Sequence, residues 1–195
     1  MRRSFRRRPR IVWLTFTLIL AVLVVRAWHR SGRVERTGNS PETLAEGIYR
    51  VTRVVDGDTL IITGSDGIQS QAGSLRQDQQ VRIRLLSIDT PETVKPDAPV
   101  EPWGEEATQF TRQFVARGTV LLRFDRRRVD RYHRFLAYVY VNDLMLNEEL
   151  VRAGLAKVKI YPGDSSTIGR RLTQAEKEAK QDARGIWSGN LPREP

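Results

Sequence analysis

The chain has 195 residues, of which 39% are hydrophobic and 29% are charged, a composition typical of one folded domain with a tail and not of a disordered or collagen-like chain. It contains no cysteine and only two histidines, which excludes disulfides, thiolate metal sites and cysteine nucleophiles and leaves carboxylates as the natural catalytic groups. The formal net charge is +10, but ten arginines and one glutamate in residues 1–36 account for +9 of it, so charge alone does not indicate that the body of the chain binds nucleic acid.

An uncharged segment near the N-terminus predicts a membrane anchor. Residues 1–10 are basic, and residues 11–25 carry no charge. A helix of that length spans about 22 Å, and continuation to Trp28 brings it closer to the roughly 30 Å of bilayer hydrocarbon. We predict a basic cytoplasmic segment at 1–10 and a signal anchor or transmembrane helix at 11–28, with a cleaved signal peptide as the alternative. The positive-inside rule then places the rest of the chain outside the cytoplasm, in the periplasm or at the cell surface, or in the medium if the segment is cleaved.

The body of the chain begins with strands. Residues 29–46 contain Gly, Ser, Pro and charges without periodicity, and we predict a linker there, a folded domain at 47–190 and a tail at 191–195. Asp56-Gly57-Asp58 is a turn between two β-branched segments, and the polar, Gly- and Ser-rich residues 64–80 are predicted to form a mobile loop. Strands are predicted at 48–55, 59–63, 81–88, 119–124 and 135–141.

Helical patterns dominate the second half of the chain. Trp103, Ala107, Phe110 and Phe114 recur at helical spacing before Gly118, which predicts an amphipathic helix. Shorter and longer helices are predicted at 146–153 and 170–182. Because the strands mostly precede the helices, the fold class is α+β, a small barrel with helices packed on it.

Acidic residues gather where two predicted strands end. Asp56 and Asp58 flank the first turn, and Asp89 and Glu92 follow the third strand. Carboxylates brought together in this way repel one another unless a cation lies among them, and their oxygens suit Ca²⁺ or Mg²⁺. Both segments also have simpler interpretations. Asp56-Gly57-Asp58 could be an ordinary β-turn, and Asp89-Thr90-Pro91-Glu92 could be the capped start of a loop.

The charged segment before the last predicted strand contains potential phosphate ligands. Tyr132 and Arg134 lie in Asp130-Arg131-Tyr132-His133-Arg134, and their donors match the oxygens of a phosphate. The alternative is a solvated, charged hairpin loop, and Arg126, Arg127 and Arg128 are predicted to form only such a solvated face.

Four segments, in order, resemble the staphylococcal nuclease family, also called thermonucleases. They are Val55-Asp56-Gly57-Asp58-Thr59, Arg84-Leu85-Leu86-x-Ile88-Asp89-Thr90-Pro91-Glu92, Asp130-Arg131-Tyr132-x-Arg134 and Met145-Leu146-Asn147-Glu148-Glu149-Leu150-Val151-Arg152-x-Gly154-Leu155-Ala156-Lys157-Val158. Any one of them is weak, but four in the family's order are specific. The resemblance covers residues 48–187 and implies a five-stranded OB-fold barrel with three helices.

The resemblance also implies an activity and a set of residues. The family's activity is Ca²⁺-dependent hydrolysis of single-stranded DNA and RNA at the 5′ P–O bond, which leaves 3′-phosphate products. Transferred to this sequence, Asp58, Asp89 and the Thr90 carbonyl bind Ca²⁺ and Glu92 activates water. Arg84 and Arg134 hold the scissile phosphate, while Tyr132 binds the terminal phosphate and Tyr161 stacks on a base.

Two departures and one alternative accompany this expectation. His133 stands where the family usually has glycine, and the segment around Tyr161 is shorter than in the family and offers one tyrosine instead of two. The alternative function is a catalytically inactive OB-fold module that binds nucleic acid or protein. A calcium enzyme outside the cytoplasm is consistent with the predicted anchor, because calcium there reaches about 10⁻⁴ to 10⁻³ M. We expect a monomer without a protein partner.

Overall fold

The computed structural model describes residues 44–64, 75, 79–93 and 101–191. The predicted anchor at 11–28, most of the predicted linker and most of the loop at 64–80 lie outside these residues. Within the described ranges, no helix has the length and apolar character needed to cross a membrane.

The described strands and helices follow the predicted order. In chain order the strands are β1 (Gly47–Asp56), β2 (Thr59–Thr63), β3 (Val81–Leu85), β4 (Ile88–Asp89), β5 (Thr119–Arg123), β6 (Phe135–Val141), β7 (Leu144–Met145) and β8 (Lys157–Val158). The helices are α1 (Gly104–Phe114), α2 (Leu146–Arg152) and α3 (Ser166–Gln181), followed by a short 3₁₀ helix (Gly185–Trp187).

Five strands close into a barrel. Their order is β3-β2-β1-β5-β6, with antiparallel neighbours. A parallel pairing of β3 with β6 closes the sheet. With the three helices, this confirms the predicted α+β class and the five-stranded OB-fold barrel. The remaining strands are two residues long, and two of them, β4 and β8, pair with each other in a separate small sheet.

The strand alternation sends apolar side chains inward and arginines outward. In β3, Val81, Ile83 and Leu85 are buried, while Arg82 is exposed and Arg84 is partly buried. Successive residues of a strand point to opposite faces, so the same pattern that fills the core also presents Arg84 outside it. Each fully buried aliphatic side chain contributes about 1.5–3 kcal/mol.

Two predicted boundaries are wrong, and both errors have a local cause. The predicted strand at 81–88 is divided because Leu86-Ser87 form a turn, in which Ser87 has φ 63°. Helix α3 begins at Ser166 and not at 170, because the side chain of Ser165 caps it by accepting a hydrogen bond from the Ile168 N–H. Serine is a favoured N-cap residue, and the small polar residues there resemble a loop when read alone.

Helices α1 and α2 hold the turns that carry the acidic residues. Thr111 of α1 donates a 2.7 Å hydrogen bond to the Gly57 carbonyl. Asn147 of α2 is buried, accepts from the Val139 N–H and donates to the Leu86 carbonyl at 2.9 Å. The helices therefore fix both the β1–β2 turn and the β3–β4 turn.

Candidate active site

A small polar cavity lies where the β1–β2 turn, the β3–β4 region and the turn before β6 meet. Its volume is about 120 Å³. It contains every predicted site residue except the two tyrosines, together with Asp56 from the acidic turn. The lining residues are Asp56, Asp58, Arg84, Asp89, Thr90, Pro91, Glu92 and Arg134.

Arg84 joins the two predicted metal ligands. Its Nη2 lies 2.7 Å from Oδ2 of Asp58 and 2.6 Å from Oδ1 of Asp89. Its Nη1 donates a 2.9 Å hydrogen bond to the Leu85 carbonyl. The Arg84 side chain is only 12% exposed, so its charge acts on these carboxylates with little screening by solvent.

Asp58 is the most buried carboxylate of the cavity. Burial is the main cause that raises its pKa to about 7. The negative charge of Asp56 raises this pKa further, and the positive charge of Arg84 lowers it. Its oxygens accept hydrogen bonds from the Thr90 N–H at 3.1 Å and from the Thr59 hydroxyl at 3.0 Å. These donors orient the carboxylate in the cavity but do not fully offset the loss of hydration.

The close approach of the β1–β2 turn to its neighbours requires glycine. A Cβ atom on Gly57 would lie 2.8 Å from the Ala107 Cβ and 2.9 Å from the Thr90 hydroxyl. Both distances are shorter than van der Waals contact, so any larger residue would push the turn away from α1 and Thr90. Gly57 thereby sets the spacing between Asp58 and Thr90.

The donor atoms of the cavity fit an oxygen-seeking cation. In the described ranges, no three side chains of Asp, Glu, His or Cys form a ready metal cluster, and Asp58 and Asp89 are instead bridged by Arg84. Carboxylate and carbonyl oxygens are nevertheless the donors that Ca²⁺ prefers, and a cation would compensate the buried charge of Asp58. Carbonyls and water would have to supply the remaining ligands of an ion that takes about six to eight.

Glu92 contributes a carboxylate to the cavity from the segment that follows β4. Its Oε1 accepts a 3.2 Å hydrogen bond from the Thr93 N–H, and its own N–H donates to Glu101 at 3.2 Å. The residue is half-buried. A carboxylate held in this way retains acceptor capacity for a water molecule in the cavity.

Arg134 is held in place by Asp130. One oxygen of Asp130 accepts from the guanidinium Nε of Arg134 at 2.7 Å, and the other accepts from the backbone N–H groups of Tyr132 and Arg134 at 2.8 and 3.0 Å. These hydrogen bonds lower the pKa of Asp130 despite its partial burial, which acts in the opposite direction. The charged segment is thus a structured turn, not a solvated loop.

Tyr132 lies beside Arg134 at the rim of the cavity. Its side chain is 63% exposed, and its ring centroid is 5.5 Å from the Arg134 guanidinium. The turn reaches this shape because His133 adopts φ 59°, a left-handed conformation that glycine adopts without strain. His133 therefore keeps the left-handed backbone conformation that a glycine at this position would adopt.

Tyr161 lies outside the cavity lining but is connected to it through its neighbours. It is 44% exposed, and the Arg127 guanidinium lies 4.5 Å from its ring centroid. Two residues earlier, Lys159 places its Nζ 2.8 Å from Oδ2 of Asp89. The pairing of β4 with β8 brings this segment to the cavity.

The sequence analysis placed Asp56 in the acidic turn that contains Asp58 but assigned it no individual role. It did not identify Lys159. Lys159 has no comparable signal, because its contact with Asp89 depends on a pairing between two strands of two residues each.

A wider groove lies between Ile160 and α3. Its volume is about 320 Å³, but its lining includes no carboxylate and no group suited to activate water. The lining residues are Ile160, Ser166, Gly169, Arg170, Thr173, Gln174 and Lys177. The smaller polar cavity is therefore the candidate active site.

Comparison with known proteins agrees with the fold. Residues 82–189 match the family model described as staphylococcal nuclease homologue. The chain is similar to the thermonuclease of Staphylococcus hyicus, with 38% identity over 169 residues that cover 87% of this chain and 91% of that protein. It is 44% identical to the thermonuclease of Staphylococcus intermedius over 140 residues, 71% of this chain and 75% of that protein. An endonuclease of Bacillus subtilis is 37% identical over 139 residues, 70% of this chain and 59% of that protein. The chain therefore belongs to the staphylococcal nuclease family and is a hydrolase of the nuclease class.

Proposed function

We propose that the protein is a Ca²⁺-dependent endonuclease that hydrolyses single-stranded DNA and RNA. The observation that carries this proposal is the cavity, in which one glutamate, two arginines and three aspartates converge within about 120 Å³. Phosphodiester hydrolysis needs a nucleophile and the neutralisation of charge that builds on the phosphoryl oxygens. These residue types supply both requirements in one small volume.

Glu92 acts on the nucleophile in this mechanism. Its carboxylate accepts a proton from a water molecule, whose oxygen then forms a bond to phosphorus. The bond from phosphorus to the 5′ oxygen breaks, and the departing oxygen takes a proton from solvent. The products are a strand with a 3′-phosphate and a strand with a 5′-hydroxyl.

Arg84 and Arg134 bind the phosphate that reacts. A guanidinium donates paired hydrogen bonds to phosphoryl oxygens, and these bonds strengthen as negative charge accumulates in the transition state. Asp130 supports this by holding the Arg134 guanidinium through a 2.7 Å hydrogen bond. In the metal-free protein Arg84 pairs with Asp58 and Asp89, so a cation on these carboxylates would release its guanidinium for the phosphate.

Asp58, Asp89 and the Thr90 carbonyl are the proposed ligands of Ca²⁺. When bound, the ion supplies positive charge next to the phosphate and lowers the energy of the transition state. The buried Asp58, whose pKa is raised by burial, gains a compensating charge in the loaded protein.

The exposed tyrosines extend the site along the strand. We propose that Tyr132, beside Arg134, binds a terminal phosphate through its hydroxyl. Tyr161 offers an exposed ring on which a base stacks. An unpaired strand suits such a site, because its bases are free to leave the stack.

We also propose a cellular location for the enzyme. The predicted anchor at 11–28, with its uncharged run at 11–25 and its basic flank, supports attachment to a membrane with the catalytic domain outside the cytoplasm. We expect the enzyme to act as a monomer. A site with oxygen ligands would fill at extracytoplasmic calcium concentrations of about 10⁻⁴ to 10⁻³ M.

Cleavage of single-stranded DNA and RNA by the full chain tests the proposal. The assay compares Ca²⁺ with chelator and wild type with Glu92→Gln, which keeps the shape of the side chain but removes the base. Glu105→Gln on α1, an exposed glutamate paired with Arg112, is the matched control. We expect Ca²⁺-dependent cleavage that falls about 100-fold or more in Glu92→Gln and is unchanged in the control.

Two results would contradict the proposal. Full activity of Glu92→Gln would remove the base from the mechanism. Absence of cleavage by a folded wild-type protein, together with binding of the same oligonucleotide, would favour the inactive binding module instead.

A further inference from the structure

A buried carboxylate outside the cavity joins three segments of the chain. The side chain of Asp164 is 0% exposed. It accepts hydrogen bonds from the Ser87 hydroxyl at 2.9 Å, from the Tyr161 N–H at 3.0 Å and from Arg127 Nε and Nη2 at 3.1 and 3.3 Å. A buried charge is costly unless such donors satisfy it, so this arrangement strongly favours one relative position of the three segments.

Arg127 has a different environment from its neighbour in the same basic run. It forms a forked ion pair with Asp164, and its guanidinium lies over the Tyr161 ring at 4.5 Å. Arg126 is exposed, and its backbone N–H donates a hydrogen bond to the Asp125 side chain. The expectation that the whole run is a solvated face is therefore wrong for Arg127.

The loop that carries Tyr161 is a tight turn closed from both sides. The Asp164 N–H donates to the Tyr161 carbonyl at 3.0 Å, while the Asp164 side chain accepts from the Tyr161 N–H. Gly163 within the turn has φ 97°, which favours glycine. With Arg127 covering part of the ring, the tyrosine is held by its backbone and by its side chain while 44% of it stays exposed.

We propose that Arg127 and Asp164 are positioning residues that hold the Tyr161 ring ready for a base of the substrate strand. The proposal rests on the proposed function of Tyr161 and adds residues that do not themselves touch the reacting phosphate. A ring fixed before binding loses less conformational entropy when a base stacks on it. Removal of Arg127 should therefore weaken binding of the strand more than it slows the chemical step.

Arg127 could instead attract the phosphates of the strand directly through its charge. The substitution Arg127→Lys distinguishes this mechanism from positioning of the Tyr161 ring. Lysine keeps the charge but lacks the planar fork that pairs with a carboxylate and stacks on an aromatic ring. If Arg127 acts through Asp164 and Tyr161, Arg127→Lys should resemble Arg127→Ala. If Arg127 acts by charge alone, the lysine variant should resemble wild type.

The experiment uses the full chain and a fluorescent single-stranded DNA oligonucleotide. Its dissociation constant is measured by anisotropy in chelator, where binding is separated from cleavage, and KM and kcat are measured with Ca²⁺. The variants are Arg127→Ala, Arg127→Lys and the control Arg126→Ala, which removes the same charge one residue away. Circular dichroism and thermal unfolding verify that each variant is folded.

We expect both Arg127 variants to raise the dissociation constant and KM about tenfold, because a base stacked on an aromatic ring contributes about 1–3 kcal/mol. The change in kcat should be smaller than the change in KM, and Arg126→Ala should differ from wild type by less than about twofold. Equal effects of the Arg126 and Arg127 variants, or restoration by Arg127→Lys, would overturn the proposal.

A double-mutant cycle with Tyr161→Ala separates positioning from a general structural effect. If Arg127 acts through the ring, Arg127→Ala should have little further effect on binding once the ring is gone. Additive losses would overturn the proposal. Wild-type binding without cleavage would refute the nuclease function while the cycle still tests the positioning, whereas wild type that neither binds nor cleaves would overturn both.

Discussion

Removal of Arg84 from the metal-free protein should destabilise the fold in a pH-dependent way. Its guanidinium contacts Asp58 at 2.7 Å and Asp89 at 2.6 Å. Replacement by methionine, Arg84→Met, keeps much of the apolar stem but leaves Asp58 buried without its cation. Breaking a buried pair in this way costs about 3–5 kcal/mol of unfolding free energy when the remaining group is charged.

The sign of the pH dependence follows from Asp58. Burial raises its pKa to about 7 from an ordinary 3.8, so the stabilisation linked to its protonated form is complete below pH 3.8 and is lost as the pH rises through 7. Because Arg84 lowers this pKa, its removal makes the ionised form still more costly. At pH 5 Asp58 is protonated in the folded protein. The loss of unfolding free energy in Arg84→Met at that pH then comes only from lost hydrogen bonds and is about 1–2 kcal/mol.

Urea unfolding in chelator at pH 5 and pH 8, followed by tryptophan fluorescence, measures both values. Arg82→Met is the matched control, because Arg82 lies two residues earlier on β3 with an exposed side chain. We expect the control to change stability by less than about 0.5 kcal/mol at either pH. An equal loss for Arg84→Met at pH 5 and pH 8, or a loss no larger than that of the control, would refute the electrostatic reasoning.

Three further predictions concern other contacts. Gly57→Ala should lower the unfolding free energy by about 1–3 kcal/mol, because the new Cβ would lie 2.8 Å from that of Ala107; unchanged urea stability would contradict this close approach. Asp130→Asn should lower kcat/KM on single-stranded DNA about tenfold by releasing the Nε of Arg134, by analogy with other residues that orient catalytic groups, and a wild-type rate would exclude this support. Glu148 is held between two arginines, which lower its pKa against the effect of burial; its stabilisation is therefore present above pH 4.5 and lost as the pH falls through the lowered value. Thermal unfolding of Glu148→Gln should show the variant less stable at pH 7 and closer to wild type near pH 3, and a pH-independent difference would disprove the linkage.

Local sequence was sufficient for most of the fold because the core follows strand periodicity. The buried side chains of β3 alternate along the strand, and the buried Leu172, Ala175 and Ala179 recur at helical spacing along α3. The sequence failed where a single residue decides a boundary. The left-handed Ser87 and the N-cap Ser165 are examples, since neither conformation has a periodic signal.

The basic run before β6 shows why tertiary contacts were needed around the cavity. Arg126, Arg127 and Arg128 are identical in type and adjacent in sequence, yet Arg126 is exposed, Arg127 pairs with Asp164, and Arg128 reaches the Leu44 carbonyl. Their partners lie 37 and 84 residues away for the last two. No local pattern distinguishes three arginines whose partners are brought near only by the closed barrel.

The barrel, the family and the residue types that line the cavity could all be predicted from the sequence, because strand periodicity and four ordered motifs are properties of short segments. Tertiary structure alone decided that Arg84 bridges Asp58 and Asp89, that Lys159 contacts Asp89 and that Arg127 and Asp164 support Tyr161. Most of these contacts join segments far apart in the chain, and Arg84 meets Asp89, five residues later, only because the chain turns between β3 and β4. Their strength also depends on burial, which raises the pKa of Asp58 and which the packing of the whole domain creates.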